Sequence, residues 1–189
     1  MHEATKVLRE EHEVILRVLD ATEATANAIE SGTEPQAQFL SDVVEFLRSY
    51  ADRQHHGKEE DLLFPELEKK GMPRNGGPVG MMLMEHQFGR SHIARMAEAA
   101  TAYAGGDRAA AATWADASLD YVALLREHIA KENQILFVMA ERLLSADDQA
   151  RLFVEFAGVD KNKMGAGECE RLLQLSARLT AQAARAVAS

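Results

Sequence analysis

The sequence predicts an all-α fold: an up-down-up-down four-helix bundle followed by two extra C-terminal helices. Three observations carry this: four long stretches with apolar residues at helical spacing, short Gly-, Ser- or Pro-marked connections, and a composition rich in Ala, Leu, Glu and Met with only four Pro. The 189 residues suffice for one domain with a substantial core, and we divide them into the bundle, 1–144, and a C-terminal helical appendage, 145–189.

The first helix runs from about Glu3 to Glu30, where Leu8, His12, Ile15, Leu16 and Leu19 share a stripe and Ser31 and Gly32 supply the stop. His12 lies on that stripe and is expected to point inward. The second helix starts near Glu34 and Pro35 and carries Val44, Leu47, Ala51, His55, Glu59 and Leu62 on its buried face. Pro65 cannot continue the backbone ladder, so a kink or break is expected near Phe64, and Gly71 to Gly77 form a loop. A third helix from about Pro78 turns Val79, Met82, Leu83, His86, Ile93 and Met96 inward and ends at Gly105 and Gly106. Asp107 is a fair N-cap for the fourth, whose Tyr121, Leu125, His128, Glu132, Ile135 and Met139 share a face up to about Leu144. Ser145 and Asp148 resemble a capping box opening a short helix to about Ala157; Gly158 to Gly167 read as a loop and Glu168 to Val187 as a final helix. These last segments are expected to pack on the bundle, or on a second copy in a homodimer.

Composition bounds the function. A net charge of −9 without a dense Lys/Arg run argues against nucleic-acid and anionic-membrane partners. Cys169 is the only cysteine, so no internal disulfide can form. The N-terminal residues lack a signal-peptide core and no eighteen-residue apolar run occurs, which makes a cytoplasmic protein the default expectation.

The functional signal is a repeat. In the stretch from His55 to Pro65, the His, Lys, Glu, Leu and Phe recur at the same offsets between His128 and Phe137. Each copy is preceded by an acidic-His pair, Glu11-His12 and Glu85-His86, with separations of 43 residues from His12 to His55 and 42 from His86 to His128. Helical residues four apart lie on one face, about 6 Å along the axis, so His55 and Glu59 can aim at one point, as can His128 and Glu132. With His12 and His86, four imidazoles and two carboxylates converge in the middle of the bundle. An unpaired buried carboxylate costs several kcal/mol and two facing each other add repulsion, whereas a pair of cations turns that cost into binding energy. If each cation takes two histidines and Glu59 and Glu132 bridge both, open coordination positions remain for small molecules. Imidazole and carboxylate without thiolate suit iron best, with manganese or zinc as alternatives.

The order His, His-x-x-x-Glu, His, His-x-x-x-Glu, with Leu-Leu-Phe-Pro after the second motif, resembles the hemerythrin-like (HHE cation-binding) domain over about residues 3 to 144. The resemblance implies a non-haem di-iron centre held by His12, His55, Glu59, His86, His128 and Glu132, with an oxo or hydroxo bridge between oxidised irons. It further implies that O2, peroxide or NO reaches an open iron site. Two departures from the oxygen-carrying members stand out: Arg90 occupies the place of a further third-helix histidine, and Glu132 lies four residues after His128 where the carriers use an Asp at five. Losing one nitrogen ligand leaves the centre less saturated and shifts the expectation from oxygen carriage to oxidative chemistry, sensing or iron handling. Its most concrete enzymatic form is a peroxide-removing oxidoreductase; the alternative is an iron, redox or oxygen sensor without turnover.

Other residues have blander readings. His56 and Glu60 are also four apart, but the repeat sets His56 opposite Ile129, so surface or supporting roles are expected of them. His2 and His92 read as solvent histidines. Glu11 and Glu85 read as solvated, because neighbouring helix positions differ by about 100°, with orientation of the histidines as the other reading. Arg90 either pairs with a carboxylate near the centre or extends to solvent. Phe64, Phe137, Met82 and Met139 read as core, and Cys169 as a bystander thiol. Ferritin-like Glu-x-x-His, zinc-protease His-Glu-x-x-His, phosphate-loop and nucleophile-elbow motifs are all missing.

Overall fold

A computed structural model of the chain describes residues 3–162, 164–165 and 167–187, all helix or connecting turn; His2 lies outside them. Helix α1 spans Glu3–Glu30. Helix α2 spans 37–69 and is not uniformly α-helical: it passes through π-helical turns at Leu47–His56 and Glu59–Leu63 before ending as Phe64–Lys69. Helix α3 is Gly77–Ala104. Helix α4 covers 110–143, again with a π turn, at Glu132–Leu136. Helices α5, Ala146–Asn162, and α6, Glu168–Val187, complete the chain.

Two apolar layers define the bundle. One contains Ile15, Leu47, Ile93, Trp114 and Tyr121; the other contains Leu8, Phe64, Met82, Phe137 and Phe156. Along α1 and α3 the chain passes from the second layer to the first, and along α2 and α4 from the first to the second, so successive helices run antiparallel. On each of these four helices the ionisable residues of the repeat fall between the two layers. The core thus fixes a polar stratum halfway along the bundle. Helix α3 packs on α2 and α4, α1 packs on α4, and both C-terminal helices lie against α1, with α6 also on α2.

Gly32 and Gly106, at φ +91° and +104°, sit just past the ends of α1 and α3 in the left-handed conformation that closes a helix and that a Cβ strains. The reciprocal capping box before α5 forms: Ser145 Oγ accepts from the Asp148 N–H at 3.2 Å, and Asp148 Oδ2 accepts from the Ser145 N–H at 2.9 Å.

The structure departs from the sequence reading at several places. Helix α2 begins at Ala37, because Pro35 is spent on a turn whose carbonyl accepts from Tyr103 Oη. The chain does not break at Pro65: the preceding π turn is wider, and Pro65 sits in the first turn of the following α segment. Ile135 is 51% exposed, because the π turn it occupies rotates it off the apolar face. Helix α5 continues past Gly158 to Asn162, shortening the expected loop.

Candidate metal centre

The structure brings together all six residues singled out by the repeat, and each is essentially excluded from solvent. Together with a seventh residue, His56, they form two overlapping groups, each with its donor atoms within 4.8 Å of one another: His12, His55, Glu59 and Glu132, and His56, Glu59, His86 and His128. Glu59 belongs to both. Glu132 Oε2 lies between them as well, 3.2 Å from His12 Nε2 and 3.3 Å from His128 Nε2.

Every imidazole is held from behind through Nδ1. His55 Nδ1 lies 2.9 Å from Glu11 Oε2, and His128 Nδ1 lies 2.9 Å from Glu85 Oε2. His86 Nδ1 lies 2.7 Å from Glu60 Oε1, and His12 Nδ1 lies 3.0 Å from Asn133 Oδ1. A carboxylate or an amide oxygen only accepts, so each Nδ1 carries the proton and each Nε2 presents a lone pair to the interior. The result is costly for the protein alone. His86 and His128 bring Nε2 to Nε2 at 3.1 Å, where two lone pairs cannot bond each other. His12 Nε2, His55 Nε2 and all four oxygens of Glu59 and Glu132 are buried without a hydrogen-bond partner. Cations at the two groups would satisfy all of these atoms at once, so the donor set fits a dinuclear metal centre.

Electrostatics point the same way. Burial, reinforced by the Glu132 charge, pushes the Glu59 carboxyl well above its ordinary range. Burial drives the His55 and His56 imidazoles well below their usual pKa, and His86 below it, which keeps them neutral and competent to ligate.

The surrounding layer repeats too. Lys58 and Lys131, at matching offsets, each form a short ion pair with the glutamate behind a histidine, Glu11 and Glu85 respectively. Burial lifts Glu11 despite Lys58, whereas for Glu85 the effect of burial is outweighed by His128 and Lys131 and its carboxyl is lowered. The symmetry ends at the C-terminal helices. Lys58, with no exposed side-chain surface, also meets Asp160 of α5 at 2.7 Å, while the Lys131 side chain is 35% exposed. Arg90 bonds Asp52 and Glu60, so it pairs rather than extending to solvent.

Glu11 and Glu85 were expected to be solvated, yet they are 7% and 8% exposed. The rotation of about 100° does turn each away from its own neighbouring histidine, but it aims it at the histidine of the next helix. The signal was present in the repeat, where the Glu and its Lys recur together. His56 carried no such signal, since its counterpart is Ile129; the π turn that sets two consecutive histidines inward is not written in apolar spacing. His92 lies apart from the cluster, 3.9 Å from Asp120. Cys169 Sγ sits 3.4 Å from Gln54 Oε1, outside the ligand layer.

Fold and site together define a helical bundle with a buried cluster of imidazoles and carboxylates compatible with metal binding. The hemerythrin HHE cation-binding domain model matches residues 3–140, and the chain belongs to that family. It is also 25% identical over 162 residues to uncharacterized proteins of Mycobacterium bovis and Mycobacterium tuberculosis, an alignment covering 86% of this chain and 63% of those proteins. No solved structure matches significantly. No helix among the described residues is long and apolar enough to cross a membrane.

Proposed function

We propose that the chain is a non-haem di-iron protein that binds and processes O2, peroxide or NO, with peroxide removal as its enzymatic form. The observation that carries this is the pair of overlapping donor groups sharing Glu59, in which His12 Nε2, His55 Nε2 and both carboxylates have no partner of their own. The absence of thiolate from both groups favours iron, with manganese or zinc as competitors. Bound iron would supply reversible redox chemistry and open coordination positions to a small molecule. The protein's own residues fix the imidazole tautomers through Glu11, Glu85, Glu60 and Asn133, and surround the donors with the dry layers of Leu8, Phe64 and Phe137 on one side and Leu47 and Tyr121 on the other.

A second reading, an iron or redox sensor without turnover, is favoured by one contact. Asp160 on α5 reaches the site's outer layer through Lys58, Glu11 and His55, so the C-terminal helices would register a disturbance of that ligand.

Anaerobic iron reconstitution followed by separate challenges with O2, peroxide and NO tests both. About two irons per chain, near-ultraviolet absorption of a bridged diferric centre and peroxide turnover are expected, with iron and spectrum lost in Glu59→Ala. Iron loading with no turnover, but a large metal-dependent change in protease sensitivity, favours the sensor. Retention of the spectrum in Glu59→Ala refutes the ligand assignment.

A further inference from the structure

We propose that His56 is a fifth histidine ligand of the centre and that Arg90 is its positioning residue, so the nitrogen donor missing from α3 is supplied from α2. This rests on the dinuclear reading above. His56 is 3% exposed, and its ring stacks on His86 with centroids 3.8 Å apart and planes 14° from parallel. Its donor atom belongs to the group formed with Glu59, His86 and His128. The stack packs the His56 ring beside that of His86, inside the group whose donor atoms lie within 4.8 Å of one another.

The support behind His56 follows the pattern of the other histidines. Its Nδ1 faces Asp52 Oδ1 at 3.4 Å, and Arg90 holds that same oxygen at 2.7 Å and Glu60 Oε1, the partner of His86, at 2.8 Å. One guanidinium therefore braces both carboxylates behind both stacked rings. A planar fork with several N–H groups can hold two acceptors in this way, which an ammonium at the same place would do less rigidly. The π turn makes the placement possible: His55 and His56 are consecutive, yet their ring centroids lie 5.6 Å apart and each serves a different group. The two cation positions are then unequal. One has three imidazoles and Glu59; the other has two imidazoles with Glu59 and Glu132.

The test uses full-length protein labelled with 15N-histidine and loaded with zinc(II), read by NMR. Five histidines with a metal-bound Nε2 and a protonated Nδ1, His56 among them, are expected. Four, with His56 free, overturn the proposal and leave the dinuclear reading standing; none overturns both. In parallel, His56→Ala and His56→Phe, the latter retaining a ring against His86, should keep the helical circular dichroism of the metal-free protein. Both should bind one of the two zinc ions at least about 100-fold more weakly, since loss of an outer partner alone costs about 10–100-fold. Two ions held with unchanged affinity in both variants refute it. Arg90→Ala should weaken the same ion about 10–100-fold and shift the His56 and His86 nitrogen resonances but not those of His12 and His55, with partial recovery in Arg90→Lys. Equal shifts at all five histidines would assign Arg90 a merely structural role.

Discussion

The repeated Lys–Glu–His layer contains its own control, because the two copies differ in burial. In Glu11→Gln, His55 keeps a hydrogen-bond acceptor but Lys58 loses the charge it pairs with. Burial acts to lower the Lys58 pKa, but Glu11 and Asp160 outweigh it and raise it, so the ammonium persists. Removing one partner of a buried pair costs about 3–5 kcal/mol, and Asp160 at 2.7 Å retains part of the compensation, which sets the expected loss near about 3 kcal/mol. For a chain of this length that corresponds to roughly 6–12 °C in the Tm of the metal-free protein. Glu85→Gln removes the matching carboxylate, but Lys131, 35% exposed, can turn to water, so the loss is at most about 1 kcal/mol and roughly 2–4 °C. Metal affinity should behave differently: both variants weaken the imidazole behind which they sit and should lower it about 10–100-fold. Thermal unfolding by circular dichroism without metal, and chelator competition with it, separate the two effects. Equal Tm losses in the two variants would refute the burial argument for Lys58, and unchanged affinity in both would refute the assignment of Glu11 and Glu85 as ligand-orienting residues.

Other outcomes follow from the same geometry. Burial and the Glu132 charge push the Glu59 carboxyl well above its ordinary range without metal, so metal binding should favour loss of its proton; calorimetric titration in buffers of different ionisation enthalpy should show proton release on binding, reduced in Glu59→Gln. For Asp52, burial acts to raise the pKa, but His56 and Arg90 outweigh it and bring it to about 2. A depressed folded pKa gives stability that is present above the unfolded value and fades as pH falls toward the folded one. The stability gap between the wild-type protein and Asp52→Asn, measured by urea unfolding, should therefore narrow as pH is lowered from about 4 toward 2. Phe137→Ala should cost about 3–5 kcal/mol in denaturant unfolding and loosen His12, whose ring stacks on Phe137 at 5.5 Å. Ser145→Ala should cost only about 1 kcal/mol, through loss of the capping box before α5.

The helices and the six converging residues were legible because both depend on periodicity, which side-chain spacing records directly. Leu8, His12 and Ile15 announce one face of α1, and the duplicated His-x-x-x-Glu announces the centre. Less legible was whatever depends on which neighbour a side chain reaches. Glu11 looked solvated because its angle relative to His12 can be read from sequence, whereas its distance from His55, on another helix, cannot. His56 escapes a reading by spacing for a related reason: apolar spacing assumes an α turn, and the π turn places a second histidine inside. Ile135 shows the converse, an apolar residue rotated outward by a π turn. The sequence leaves Arg90 between pairing with a carboxylate and extending to solvent, and only its two carboxylates, contributed by α2, show what satisfies it.

The π turns of α2 also make that helix sensitive to length in a way point substitution does not test. Each π turn accommodates more residues than an α turn, as though the segment carried an insertion. Removing one residue between 47 and 54 would take out such an insertion, letting the backbone relax toward ordinary α geometry with its two halves still in phase, so that Leu47 and Phe64 keep one continuous inner surface. What is lost is the widened turn that sets both His55 and His56 inward. A single-residue deletion at an exposed position such as Arg48 should thus spare the fold while displacing His56, which no replacement there would do.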